Sequence, residues 1–156
     1  MSLTALQLKN QGNEHYSKNE SSLAIQSYSE AIQLVIENEE ETSPPLFVLY
    51  SNRSAAHIQN EDFYCGFQDA KESLKLKKDE NFKGFYRAAL CGYHLGFIKR
   101  SQQLIKEATE IFHQNLGDYS NLKLSIEKKI KCILRWRKPI ATAKKCLKNL
   151  EQIIEK

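Results

Sequence analysis

The sequence predicts an all-α protein built from stacked helix hairpins. Three observations carry that reading. Apolar residues recur at intervals of three and four along most of the chain. Six Gly and three Pro in 156 residues leave long stretches uninterrupted, unlike a turn-rich β fold. A set of three small residues recurs three times at one spacing, the mark of a repeat architecture.

The periodicity places helices at 3–17, 20–37, 46–59, 63–76, 83–95, 98–114, 119–137 and 140–155. The first ends at a short turn, Lys18-Asn19-Glu20. In the second, Leu23, Ile25, Tyr28, Ala31, Ile32 and Val35 form an apolar stripe, with Ser21, Gln26, Ser29, Glu30 and Gln33 as a solvated face. The third follows ENEEETSPP, an acidic run closed by two prolines. The fourth stops at the polar stretch Lys77 to Asn81. Gly96 and Gly117 read as C-terminal glycines of the fifth and sixth helices. Leu122, Ile126, Ile130 and Leu134 stripe the seventh. Pro139 opens the eighth, striped by Ala143, Leu147, Leu150 and Ile154.

The repeated triplet is Gly12, Ala24, Ala31, then Ser54, Gly66, Ser73, then Ala89, Ser101, Ala108. Within each, the members lie twelve and then seven positions apart, and a large apolar residue (Leu8, Tyr50, Phe85) precedes the first by four. Where the two helices of a hairpin cross, a large side chain on one needs a small one opposite. The units begin 42 and then 35 residues apart, and ENEEETSPP absorbs the longer first interval.

The remaining composition narrows the function classes. The chain is 41% hydrophobic and 27% charged, the balance of a globular protein of one domain. A net charge of +4 is too mild to argue for nucleic acid by itself. No run of ~18 apolar residues is present, and the N-terminus lacks the apolar core of a signal peptide. Cys65, Cys91, Cys132 and Cys146 are far apart and read as reduced thiols, which places the protein in the cytoplasm.

The first helix of each pair carries polar residues away from the packing positions. Lys9 and Asn13 lie four apart on the first, Asn52 on the second, and Lys83 and Arg87 four apart on the third. Three cations and two amides with no carboxylate among them suit an anion with several acceptor oxygens. Tyr16, Ile58, Leu90 and Tyr93 are candidate groove contacts, or else core filler between the helices.

These segments, LKNQGNEHY, YSNRSAA and FKGFYRAAL, resemble the three first helices of the carboxylate-clamp tetratricopeptide (TPR) domains of heat-shock co-chaperones. The interval between units is similar to that family's period of ~34 residues. The resemblance covers residues 3–114. It implies three tetratricopeptide hairpins in a right-handed superhelix with a concave groove lined by the first helices. The family's clamp of Lys, Asn, Asn, Lys and Arg falls on Lys9, Asn13, Asn52, Lys83 and Arg87. It implies a partner, the C-terminal Glu-Glu-Val-Asp tail of the seventy- or ninety-kilodalton heat-shock chaperones, and an adaptor role that serves a client protein. The sequence departs from the family in the longer first unit, in KLKKDEN without the usual proline, and in Gly66 where alanine is usual.

The expected organisation is a three-repeat domain over 1–116, then a capping helix and a basic helix over 117–156. That last segment holds eleven Lys or Arg against four Asp or Glu, a net +7. Its first helix would cover the exposed face of the last repeat, with Trp136 as a packing anchor, and its second would fold back or self-associate. Two rival functions stay open: a general protein-interaction scaffold, and an RNA or membrane-surface binder acting through the basic helices. Without a nucleic-acid motif or aromatic interleaving, neither nucleic acid nor membrane is the expected partner.

No phosphate loop, metalloprotease or nucleophile-elbow motif occurs, so no enzyme, catalytic residue or cofactor is expected. Cys91 and His94 lie three apart and could share a helical face, with His57 and Cys65 as weak further ligands. Core and surface roles are the favoured reading for all four, and no metal is expected.

Overall fold

A computed structural model describes residues 3–38, 44–79 and 81–115. Among them are six α-helices and no strand: α1 (Ala5–Ser17), α2 (Ser21–Glu37), α3 (Leu46–Gln59), α4 (Phe63–Leu76), α5 (Phe82–His94) and α6 (Ile98–Asn115). The two helices expected beyond Gly117, with their capping and self-association roles, lie outside the described residues.

Local chemistry sets the ends. Thr4 caps α1 through a reciprocal box: its Oγ1 accepts from the Gln7 N–H, and the Gln7 Oε1 accepts from the Thr4 N–H. Thr4 is therefore the cap, and the helix begins two residues later than the periodicity suggested. Asn19 and Glu61 take left-handed backbone angles in the tight turns after α1 and α3, and Gly96 does so after α5 with φ at +80°.

The missing proline before the third pair has a substitute. Asn81 is buried, its Oδ1 accepts from the Gly84 N–H, and its Nδ2 lies within bonding distance of Ser73 O, Ser73 Oγ and Lys77 O. One side chain thus caps α5 and fastens it to the end of α4.

Each helix packs most on its hairpin partner, α1 on α2, α3 on α4 and α5 on α6. The hairpins then stack, α2 on α3 and α4 on α5, and α3 touches both α1 and α5. All nine repeated small residues are buried. Two of them are glycines in close contact. A Cβ on Gly12 would stand 2.6 Å from the Tyr28 ring, and one on Gly66 would stand 3.0 Å from Cys91 Sγ and 3.4 Å from Ser54 O. Gly66 therefore lets α4 approach both α3 and α5. Leu8 and Phe85 are buried as expected, while Tyr50 is half-buried and meets the Arg53 guanidinium.

The face assignments on α2 need correction. Leu23 is 48% exposed, whereas Ser21 is buried against Gln59 and Ser29 accepts from Arg53. A second helix in a stack has two neighbours, α1 and α3, so its polar margin turns inward and finds partners. Arg53 completes that joint. Its Nε and Nη2 each donate at 2.8 Å to the two oxygens of buried Asp69 on α4, and its Nη1 donates to Ser29 on α2.

Candidate functional site

The first helices of the three hairpins lie side by side, with α3 between α1 and α5. A residue on the shared face of these helices therefore has neighbours from other hairpins. Asn13 on α1 shows this. Its Oδ1 accepts from the Tyr28 hydroxyl at 2.7 Å and from the Asn52 Nδ2 of α3 at 3.3 Å. Both amides are thereby oriented, and the Asn13 NH2 is left to donate outward.

Arg87 on α5 reaches α3, where its guanidinium donates to the Ser51 hydroxyl. Burial pushes Arg87 below its ordinary value, and the neighbouring Tyr16 and Tyr28 phenols oppose that shift. Burial also raises Tyr28 to about 12, although the nearby Arg87 charge works the other way. Tyr28, Tyr16, Arg87, Ser51, Asn52 and Asn13 thus form one connected group drawn from all three hairpins.

Lys9 lies one helical turn before Asn13, and Lys83 one turn before Arg87, each on the same helix face. Lys9 is half-buried and Lys83 exposed. Among the described residues, no carboxylate forms an ion pair with Lys9, Lys83 or Arg87. Arg87 and the two oriented amides are linked to residues of other hairpins, while Lys9 and Lys83 share a helix face with Asn13 and Arg87 respectively.

The other candidates divide. Tyr16 is 38% exposed and interacts electrostatically with Arg87 and Tyr28, so it belongs to this face. Ile58 and Leu90 are half-buried. Tyr93 is also half-buried and meets the His94 ring edge-on, while His94 stacks on Phe63 of α4 at 3.9 Å. Cys91 and His94 do not converge on a common point: Cys91 is fully buried beside Gly66, with burial pushing its thiol up to about 12.

Two participants escaped the sequence reading. Tyr28 reads as one more residue of an apolar stripe, and Ser51 stands out in no pattern of the sequence. For Tyr28 a signal existed, since a buried tyrosine hydroxyl needs a partner. Ser51 has no comparable signature.

No family model matches the chain. It is 30% identical over 149 residues to the Drosophila melanogaster "DNA polymerase interacting tetratricopeptide repeat-containing, protein of 47 kDa", covering 96% of this chain and 36% of that one. It is 31% identical over 115 residues to the heat shock protein STI1 of Saccharomyces cerevisiae, covering 74% of this chain and 18% of that one. The chain thus spans about a third or less of the length of these relatives. Among solved structures, the first TPR domain of Spaghetti (RPAP3) bound to the HSP90 peptide SRMEEVD superposes with a TM-score of 0.61 at 20% identity, covering 82% of this chain and 94% of that one. The three hairpins that build this face have the tetratricopeptide-repeat fold, and the chain is similar along nearly its whole length to a tetratricopeptide repeat-containing protein.

Proposed function

We propose that this face binds the free C-terminus of an acidic peptide, the Glu-Glu-Val-Asp tail of a heat-shock chaperone. In this reading Lys9, Asn13, Asn52, Lys83 and Arg87 form the carboxylate clamp. The observation that carries it is the Asn13–Asn52 bridge beside an Arg87 that has no anionic partner among the described residues. A C-terminal Asp presents two carboxylates a few ångströms apart, and donors from separate helices can hold each of them. The structural neighbour bound to the HSP90 peptide SRMEEVD supports the choice of ligand.

The role is that of an adaptor, and none of its chemistry requires an enzyme. An extended tail loses entropy on binding, which offsets much of the charge-assisted gain. The expected affinity is therefore micromolar, about −8 kcal/mol. Calorimetry of the full chain with a tail peptide and its C-terminal amide tests the proposal. The free acid should bind at least ~10-fold more tightly than the amide, the loss of about one charge-assisted hydrogen bond. Equal affinity for the two peptides would remove the clamp and leave a scaffold of another specificity.

A further inference from the structure

A second cluster lies where the chain turns from α3 into α4. His57 near the end of α3, Asp62 at the N-cap of α4 and Cys65 in its first turn bring three donor atoms within 4.8 Å of one another. The His57 Nδ1 stands 3.2 Å from Asp62 Oδ2. It is buried and makes no hydrogen bond. The Cys65 backbone N–H donates to Asp62 Oδ1 at 3.3 Å, and the nearby Asp62 carboxylate pushes the Cys65 thiol up.

The far side of the imidazole is also set. His57 Nε2 faces Asp69 Oδ2 at 3.7 Å, and Asp69 is itself held by Arg53. His57 thus lies between two carboxylates, and one behind the outer nitrogen is the usual outer support of a metal-bound histidine. Nδ1 is buried close to a carboxylate oxygen without a hydrogen bond of good geometry, and a cation shared by the three side chains would satisfy it.

From this geometry we infer that His57, Asp62 and Cys65 bind a zinc-class divalent ion. One nitrogen, one carboxylate oxygen and one thiolate suit zinc or cobalt, whereas magnesium and calcium call for oxygen donors throughout. Asp62 is 39% exposed at its side chain, so a fourth position opens to solvent for water or an external ligand. The ligands come from both helices of the middle hairpin, so the ion would clip α3 to α4 at their turn. Glu61 takes its left-handed conformation inside that turn, between His57 and Asp62 in the chain.

Cobalt(II) added to the reduced full chain, in a non-thiol reductant, tests the inference. One equivalent should bind with a near-ultraviolet sulfur-to-cobalt charge-transfer band, which zinc then bleaches by displacement. Cys65→Ser should abolish the band, and a Cys132→Ser, Cys146→Ser double variant should keep it. Asp62→Asn retains a good helix cap. It should weaken cobalt binding by ~10-fold or more, at least the loss seen when an outer partner is removed, with the circular dichroism unchanged. A wild-type chain without the band, or a band that survives Cys65→Ser, would overturn the site.

Discussion

Asn52 and Arg53 are neighbours in the sequence, yet they face opposite chemistries. Arg53 points into the joint between hairpins, where Asp69 meets it with two hydrogen bonds and Ser29 with a third. Asn52 reaches from α3 to Asn13 of α1, and Arg87 of α5 has, among the described residues, a neutral hydroxyl on α3 as its hydrogen-bond partner. The outer surface follows the first pattern: Lys75 pairs with Glu72, Lys106 with Glu110, and Lys78 and Arg100 both with Glu107. A cation paired within the chain contributes to structure, and its charge is no longer available to a ligand. One left without an anion keeps its charge for something else. Position in the stack decides between the two, and residue type does not.

The largest effect tests the paired side. Asp69→Ala leaves Arg53 partly buried without its anion and removes the carboxylate behind His57. Breaking such a pair should destabilise the domain by about 3 kcal/mol, read as a lower urea midpoint at constant slope. A change under ~0.5 kcal/mol would place the pair among ordinary surface bridges and erase the contrast.

How much of this was legible beforehand depends on distance along the chain. The six described helices lie within two residues of their periodic pattern, because amphipathic spacing and turn residues are local. The buried triplets were legible for the same reason: a fixed spacing reports a repeated crossing. The partner of Arg53 was not, since Asp69 lies sixteen residues away on another helix. His57, Asp62 and Cys65 follow no helical period, because a turn intervenes between the first and the other two. The inward Ser21 and Ser29 were hidden by a two-sided packing that a one-helix stripe does not reveal.

The unpaired side yields the next effect. Arg87→Ala should cost tail-peptide binding about 2 kcal/mol, or ~30-fold, while stability moves by less than ~1 kcal/mol. The guanidinium is desolvated in the free domain without an anion to offset it, so its removal relieves one cost as it loses the Ser51 contact. Lys83→Ala, at an exposed position, should lose no more than ~5-fold. Calorimetry and thermal melts on both variants decide the matter. An Arg87→Ala chain that unfolds would move Arg87 to the structural class with Arg53.

The smallest effect separates the two roles within a single residue. Tyr28 fills the space that Gly12 leaves, and its hydroxyl holds the Asn13 carbonyl oxygen at the groove. Tyr28→Phe keeps the ring and removes only that hydrogen bond. Packing should survive, with stability falling by ~1 kcal/mol or less. Asn13 would then be held by Asn52 alone, at the longer distance of 3.3 Å, and its amide would sample orientations that turn an oxygen toward the peptide's carboxylate. Tail affinity should fall by ~3–5-fold, a fraction of one hydrogen bond. The same substitution should leave cobalt binding at His57, Asp62 and Cys65 unchanged, because Tyr28 donates to none of them. A Tyr28→Phe chain with full tail affinity would show that Asn13 is positioned by its helix and by Asn52, and that the hydroxyl merely satisfies itself.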